Sequence, residues 1–375
     1  MQKILLFIAS LFYFNSLFAK DEIKSWQGIH ETPLSRLEQQ FADPPVEFAN
    51  HVIWGWEGKM DKKTICNDLD SIKKKGFRAI IFEAGYKRPF KYLSEEWFKA
   101  IRTGVLEAKK RGMKVWIIDE GKYPSGFAGG KFSQERPDLR MQALVIGDTI
   151  QIKRGEVMTN HKIAPEIISA VAVSTSGAPN RTVAINNGEI SFNAGLDDWK
   201  ILLVKSDFRT AVTRAVNNPN GGKDATNSLC DYLNPVAVQQ FIDWTHEQYK
   251  KYLGKELGTT VLGFRGDEPD YAHLPWTPSI VQTFKDTKGY DPTPYLASFF
   301  TTSPTIQEQR VKADYWDVWS SLFATHFFKL QADWCAANGV AHITHLNKEH
   351  EMPACVKAEG DYFRNLSKVQ IPGVD

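Results

Sequence analysis

The chain has 375 residues, enough for two or three ordinary domains or for one large α/β barrel with insertions. Lys and Arg number 46 against 44 Asp and Glu, so the net charge is +2, which argues against a nucleic-acid-binding surface. A content of 42% hydrophobic and 24% charged residues is that of a folded chain, not a disordered one.

The first segment reads as an export signal. Lys3 precedes an apolar run from Ile4 to Phe14, and Ala19 precedes the polar Lys20-Asp21. This pattern predicts a cleaved signal peptide over 1–19 and a mature protein in the periplasm or outside the cell. The run is too short to span a bilayer, which takes roughly 20 apolar residues. No cysteine near the cleavage point supplies a lipid anchor. Four cysteines, Cys66, Cys230, Cys335 and Cys355, are few. A disulfide is permitted, but Cys66 and Cys335 fall in amphipathic patterns and read as small buried hydrophobes.

The body then alternates strand and helix. Val52–Trp56 is a strand, 61–75 an amphipathic helix stopped by Gly76, and Ala79–Phe82 a second strand. Ser94 predicts the N-cap of a helix running to Arg111, and Lys114–Ile118 is a third strand. From 142 to 210 the grammar changes to short alternating runs, with Asn187-Gly188 as a hairpin signal. We read 142–210 as a small all-β module inserted into an α/β unit made of 20–141 and 211–375. In the second part, Asn234-Pro235 opens a helix and 260–264 forms the fourth strand. A long helix covers 306–338, Val340–Thr344 is the fifth strand, and Ile371–Asp375 begins a sixth. The fold class is α/β, an incomplete (β/α)8 TIM-type barrel with five to six of its eight strands, and the count predicts a chain that stops short of closure. No glycine-rich phosphate loop follows any strand, so a nucleotide fold lacks its main support.

Acidic residues recur where strands end. Glu83 follows the second strand, Asp119-Glu120 the third, Asp267-Glu268 the fourth, and Glu349 and Glu351 the fifth. Barrel active sites lie at that end, so these groups are expected to converge on one mouth. Convergent carboxylates suit glycoside hydrolysis, in which one group gives a proton and another activates water or attacks carbon. Trp54, Trp56, Tyr123 and Tyr271 sit at the same level as candidate sugar platforms or core residues. His342, His345 and His350 invite a metal-hydrolase reading, but 342 and 345 face opposite sides of a strand and no HExxH occurs. No GxSxG supplies a serine nucleophile.

Several segments resemble the α-L-rhamnosidase-type glycoside hydrolases, family 106. They are VIWGW (52–56), NDLDSIKKKGF (67–77), YLSEEWFKA (92–100), AKKRGMKVWIIDEGKYPSGFAGGKF (108–132), DYLNPVAVQQFIDWTHEQY (231–249), GFRGDEP (263–269), HLNKE (345–349), GDYFR (360–364) and IPGVD (371–375). The resemblance covers about 37–375, interrupted by the β module, and is taken as the N-terminal part of such an enzyme. It implies an exported β/α-barrel enzyme that removes terminal α-L-rhamnosyl or related sugars from polysaccharides, with inversion and with a calcium ion that helps hold the sugar. Carried over by motif, Glu268 and Glu349 are the acid–base pair, in either order. Trp54, Trp56, Asp119, Glu120, Tyr123, Asp267, His345 and Asp375 are expected to bind oligosaccharide or polysaccharide, with Asp119 and Glu120 as sugar or cation ligands. Arg265-Gly266, Thr344 and His350 depart from the family's usual residues. The alternative is a non-catalytic carbohydrate-binding barrel or an inactive fragment.

Overall fold

The computed structural model describes residues 33–43, 50–85, 87–121, 123–209, 213–214, 223–224, 228–271 and 274–374. The segment 1–19 and Asp375 lie outside the described residues. The chain divides into two units, Met1–Ala49 and Asn50–Asp375. In the first, α1 (Leu34–Ala42) follows Pro33 and is closed by the Asp43 N–H, which donates to the Gln39 carbonyl.

The second unit opens with β1 (His51–Trp56), α2 (Lys62–Lys74), β2 (Ala79–Ala84), α3 (Glu95–Lys110) and β3 (Lys114–Ile118). Side-chain oxygens start both helices: Asp61 accepts from the Thr64 N–H at 2.9 Å and Ser94 from the Trp97 N–H at 3.2 Å. After the short α4 (Lys131–Glu135) come β4 (Gln142–Ile152), β5 (Val157–Lys162), β6 (Ile167–Ser174), β7 (Arg181–Thr182), β8 (Ile185–Asn186), β9 (Glu189–Asn193) and β10 (Trp199–Phe208), then the short pair β11 (Thr213–Arg214) and β12 (Lys223–Asp224). The α/β pattern resumes with α5 (Pro235–Trp244), α6 (His246–Leu253), β13 (Val261–Asp267), β14 (Pro275–Trp276), α7 (Ile280–Lys288) and α8 (Ile306–Phe323). It continues through α9 (Lys329–Ala337), β15 (Ala341–His345), α10 (Met352–Glu359), α11 (Tyr362–Leu366) and β16 (Ile371–Pro372).

Six strands form one parallel sheet in the order β1-β2-β3-β13-β15-β16, the order of the chain. That is the arrangement of a partial (β/α)8-like barrel, and the protein is an α/β fold with separate antiparallel sheets. The stretch between β3 and β13 supplies most of a five-stranded sheet, β14-β4-β10-β6-β7, and a three-stranded one, β5-β9-β8. Its hairpin turns at Asn187 and Gly188, both at positive φ (52° and 76°), as a tight two-residue turn requires. This β region is continuous with the rest: Leu144, Val171, Leu202 and Val204 share one core with Tyr271, Trp276, Tyr315 and Trp319. The single helix expected over 306–338 is two, α8 and α9, joined by one π-helical segment, Ala324–Phe328. All four cysteines are free thiols, with Cys230, Cys335 and Cys355 buried.

The pleat sorts the parallel strands into two faces. Toward the helices point Trp54, Trp56, Ile80, Phe82, Val115, Ile117 and Phe264, packed on Leu69, Trp97, Ile101 and Val105. The opposite face carries Glu83, Arg265, Asp267 and His345 near the strand ends. Close strand contact is enforced at Gly263, where an added Cβ would stand 1.9 Å from the Ala341 carbonyl oxygen and 2.7 Å from the Trp116 ring. Backbone cannot yield there, so Gly263→Ala is expected to cost about 3 kcal/mol or more in chemical denaturation. Gly188→Ala, with nothing within 4 Å but φ at +76°, is expected to cost only about 1 kcal/mol. Equal losses for the two would contradict this packing account.

Candidate active site

The segment after β3 forms a strap wired to β13. Asp119 N–H donates to the Arg265 carbonyl at 3.0 Å, and Ser125 N–H to the Asp267 carbonyl at 2.9 Å. Ser125 Oγ donates to Asp119 Oδ1 at 2.6 Å and accepts from the Asp267 N–H at 2.7 Å. Tyr232 Oη donates to the Ser125 carbonyl from behind. Glu120 is enclosed: its carboxylate accepts from the N–H groups of Gly121 (2.7 Å), Gly129 (3.0 Å) and Ala128. The backbone N–H groups of Gly121, Ala128 and Gly129 therefore form a cup for this side chain. Burial pushes Glu120 up to about 8, against the pull of those donors. Asp119 is pushed up to about 7, by burial first and then by Asp267, with Ser125 opposing.

The ends of β13 and β15 carry the partly accessible side of the site. Arg265 Nη2 lies 3.2 Å from His345 Nδ1 and Arg265 Nη1 3.5 Å from Asp267 Oδ1. A guanidinium only donates, so His345 Nδ1 accepts and its proton sits on Nε2. That N–H faces Asp267 Oδ1 at 3.5 Å and Glu268 Oε1 at 3.6 Å. Glu268 adopts φ +40°, a left-handed conformation rare for a side chain of this size and typical of functional turns. Asp267 is raised, chiefly by burial, with Glu268 and Glu83 adding repulsion.

Asn347 joins this end to the next loop. Its N–H donates to Glu359 Oε1 at 2.7 Å, and its side-chain amide to Tyr123 Oη and Asp270 Oδ2, both at 3.1 Å. The Leu346 N–H reaches Glu349 Oε2 at 3.5 Å. Glu359 is fully buried and its Oε2 has no hydrogen-bond partner. Its pKa stands well above the ordinary value because of burial, with Asp270, Glu268 and Glu349 all pushing the same way. Glu268 and Glu349 thus share one electrostatic neighbourhood. A groove of 660 Å³ opens beside Asp270, between Tyr271, Trp316, Lys348 and Ala354.

The structure brings Glu83, Asp267, Glu268, His345, Tyr123 and Glu349 to the strand ends. It places Trp54 and Trp56 elsewhere, in the strand–helix layer: Trp56 is 3% exposed, and their rings stand 5.5 and 4.7 Å from Phe82. Asp119 and Glu120 are sealed beneath the strap, 0% and 1% exposed. His342 faces the helices and His345 the site, while His350 is exposed. Asp375 lies outside the described residues. Arg265, Ser125, Asp270, Asn347 and Glu359 join the site without having been singled out as site residues in the sequence. Asn347 stands inside HLNKE, and Glu359 directly precedes GDYFR.

The sequence model of the alpha-L-rhamnosidase family, glycoside hydrolase 106, matches residues 158–372. The chain belongs to this family. The match corrects the reading of the chain as the family's N-terminal part. It begins inside the β region that was expected to interrupt the resemblance and runs through β16, while VIWGW and the DEGKYPSGFAGG run lie outside it. A protein of Formosa agariphila, a beta-glucuronidase by name, is 23% identical over 363 residues, covering 82% of this chain and 30% of its own. A solved rhamnosidase from Novosphingobium sp. PP1Y superposes with a TM-score of 0.64 at 15% identity, over 90% of this chain and 49% of its own. The chain therefore spans about half or less of the length of these relatives, and the likeness to the solved structure is one of fold. Among the described residues no helix is long and apolar enough to cross a membrane.

Asp119 supplies a test of the strap. A carboxyl raised by folding binds its proton more tightly in the folded state, so its contribution is present below the unfolded value and is lost as pH rises through about 7. Wild-type stability is therefore expected to fall between about pH 4 and pH 7 more steeply than that of Asp119→Asn, by about one proton in urea denaturation at stepped pH. Identical slopes would show that Asp119 is ionised in the folded protein.

Proposed function

We propose that the chain is part of an exported glycoside hydrolase that removes a terminal α-L-rhamnosyl or related sugar from plant or microbial polysaccharide, with Glu268 and Glu349 as its acid–base pair. The observation that carries this reading is convergence. Glu83, Asp267, Glu268, Asp270, Glu349 and Glu359 come from four separate segments to one end of a parallel sheet, and the family is one of glycosidases. Surface carboxylates have no reason to gather where they repel one another.

In this reading Glu268 gives a proton to the leaving oxygen and Glu349 takes one from the attacking water. Arg265 holds Asp267 from the side, and the Nε2–H of His345 faces both Asp267 and Glu268. An inverting pair stands roughly 6.5–9.5 Å apart to admit the water. The calcium ion implied by the family resemblance is a hard cation that takes oxygen ligands. Asp270 and Glu359, whose Oε2 is buried without a partner, fit that donor set. Bound there, calcium would neutralise the crowded carboxylates and offer coordination sites to sugar hydroxyls. A second reading rests on Arg265: a guanidinium matches the carboxylate of a hexuronic acid, so the related sugar includes β-glucuronides.

The test uses alkyl and aryl α-L-rhamnosides and β-D-glucuronides. On an alkyl glycoside, a poor leaving group, Glu268→Gln and Glu349→Gln are each expected to lower kcat by about 10²–10⁴-fold. On an aryl glycoside Glu268→Gln should recover much of its rate and Glu349→Gln should not. Wild-type rates in both mutants on the alkyl glycoside would overturn the assignment. Binding without turnover by the wild type would favour a non-catalytic carbohydrate-binding barrel.

A further inference from the structure

On the opposite face of the sheet, three side chains from three elements meet in the core. His246 begins α6, Cys335 lies in α9 and His342 in β15, and one ligand atom from each lies within 4.8 Å of the others. All three residues are buried, at 0%, 0% and 1% exposure. None belongs to the carboxylate site, since His342 points away from it.

Hydrogen bonding fixes which nitrogen His246 presents. Thr245 Oγ1 has one proton, and it donates this to the Phe241 carbonyl at 2.7 Å. The same oxygen lies 2.8 Å from His246 Nδ1, so it accepts there, and Nδ1 carries the ring proton. The lone pair of His246 is therefore on Nε2. That atom is buried with no hydrogen-bond partner, and so is Nδ1 of His342. An imidazole nitrogen left bare in a dry core costs roughly 1–3 kcal/mol, and here two occur beside one thiol. A hydrogen-bond acceptor that fixes the tautomer of a histidine is also the usual companion of a metal-ligating one. Phe264 and Trp334 pack on the His246 ring at centroid distances of 4.2 and 5.1 Å and enclose the cluster in apolar surface.

We propose that His246 Nε2, Cys335 Sγ and a ring nitrogen of His342 form a structural site for one thiophilic d10 cation, Zn2+ or Cu+, that pins α6 and α9 to β15. Metal–nitrogen bonds of about 2.0–2.1 Å and a metal–sulfur bond of about 2.3 Å would draw the ligand atoms together by roughly an ångström. Cys335 enters as the thiolate and releases its proton on loading. Soft thiolate and imidazole donors select these ions over calcium, so this site and the carboxylate end take different metals.

The full chain is stripped with chelator, exposed separately to ZnCl2 and, without oxygen, to Cu+, passed through gel filtration and assayed for bound metal. One equivalent of either ion is expected to remain and to raise the Tm. Cys335→Ser should retain at least 10-fold less metal, and Cys66→Ser as much as the wild type. X-ray absorption of the loaded wild type, which needs no variant to fold, should show one sulfur and two imidazole nitrogens around the ion. A folded wild type that retains neither ion, or a coordination shell without sulfur, would overturn the proposal.

Discussion

Ser125 Oγ carries the two hydrogen bonds on which the geometry of the carboxylate end of the sheet depends. A backbone N–H can only donate, so the bond with Asp267 N–H uses the hydroxyl oxygen as acceptor and leaves its single proton for Asp119. That arrangement ties the end of β3 to the end of β13 and satisfies one oxygen of a carboxyl that has no access to water. Glu120 anchors the remainder of the strap in its cup of backbone amides. Asp267 is held from below by this strap and from the side by Arg265, with His345 alongside, and Glu268 is the next residue. Positions set by several bonded neighbours are what acid–base chemistry requires of its groups.

Much of this was legible in the sequence, and the remainder has physical reasons for being hidden. Helical spacing, the Ser94 cap and the glycine stops mark elements because they are local effects. The recurrence of acids after strands marks the end of the sheet where the carboxylates gather, for the same reason. Alternation also places Trp54 and Trp56 on one face of β1, but it does not say which. In a barrel both faces of a strand can be buried, so no polar residue betrays the outside. Their side is decided by Phe82 and Trp97, which are distant in the chain. Glu120 reads as a site acid until the backbone of Ala128 and Gly129 folds over it. Glu359 lies at the end of a helix and reads as an ordinary surface residue. The break between α8 and α9 is a π-helical segment, which periodicity over a long window does not resolve.

Three of the residues read as departures from the family's usual pattern, Arg265, Gly266 and Thr344, separate into two kinds once they are placed on the sheet. Gly266 and Thr344 are register partners on neighbouring strands. A Cβ at Gly266 would meet Thr344 Oγ1 at 3.0 Å, so the small residue makes room for the β-branched one. This pair is a matter of packing between strands and does not touch the carboxylates. Arg265 points the other way and contacts Asp267 and His345. Any shift in sugar preference within the family is therefore expected to trace to Arg265, not to Gly266 or Thr344.

We propose that sugar is bound and cleaved at the carboxylate end of the parallel sheet. The most direct measurement is a crystal structure of the full chain with a rhamnose-configured iminosugar, whose ring ammonium imitates the charge that develops in glycoside cleavage. The iminosugar is expected within hydrogen-bond distance of Glu268 and Glu349, with Arg265 and His345 beside it and the strap unmoved. A saturating ligand bound on another surface, with that end of the sheet empty, would contradict it.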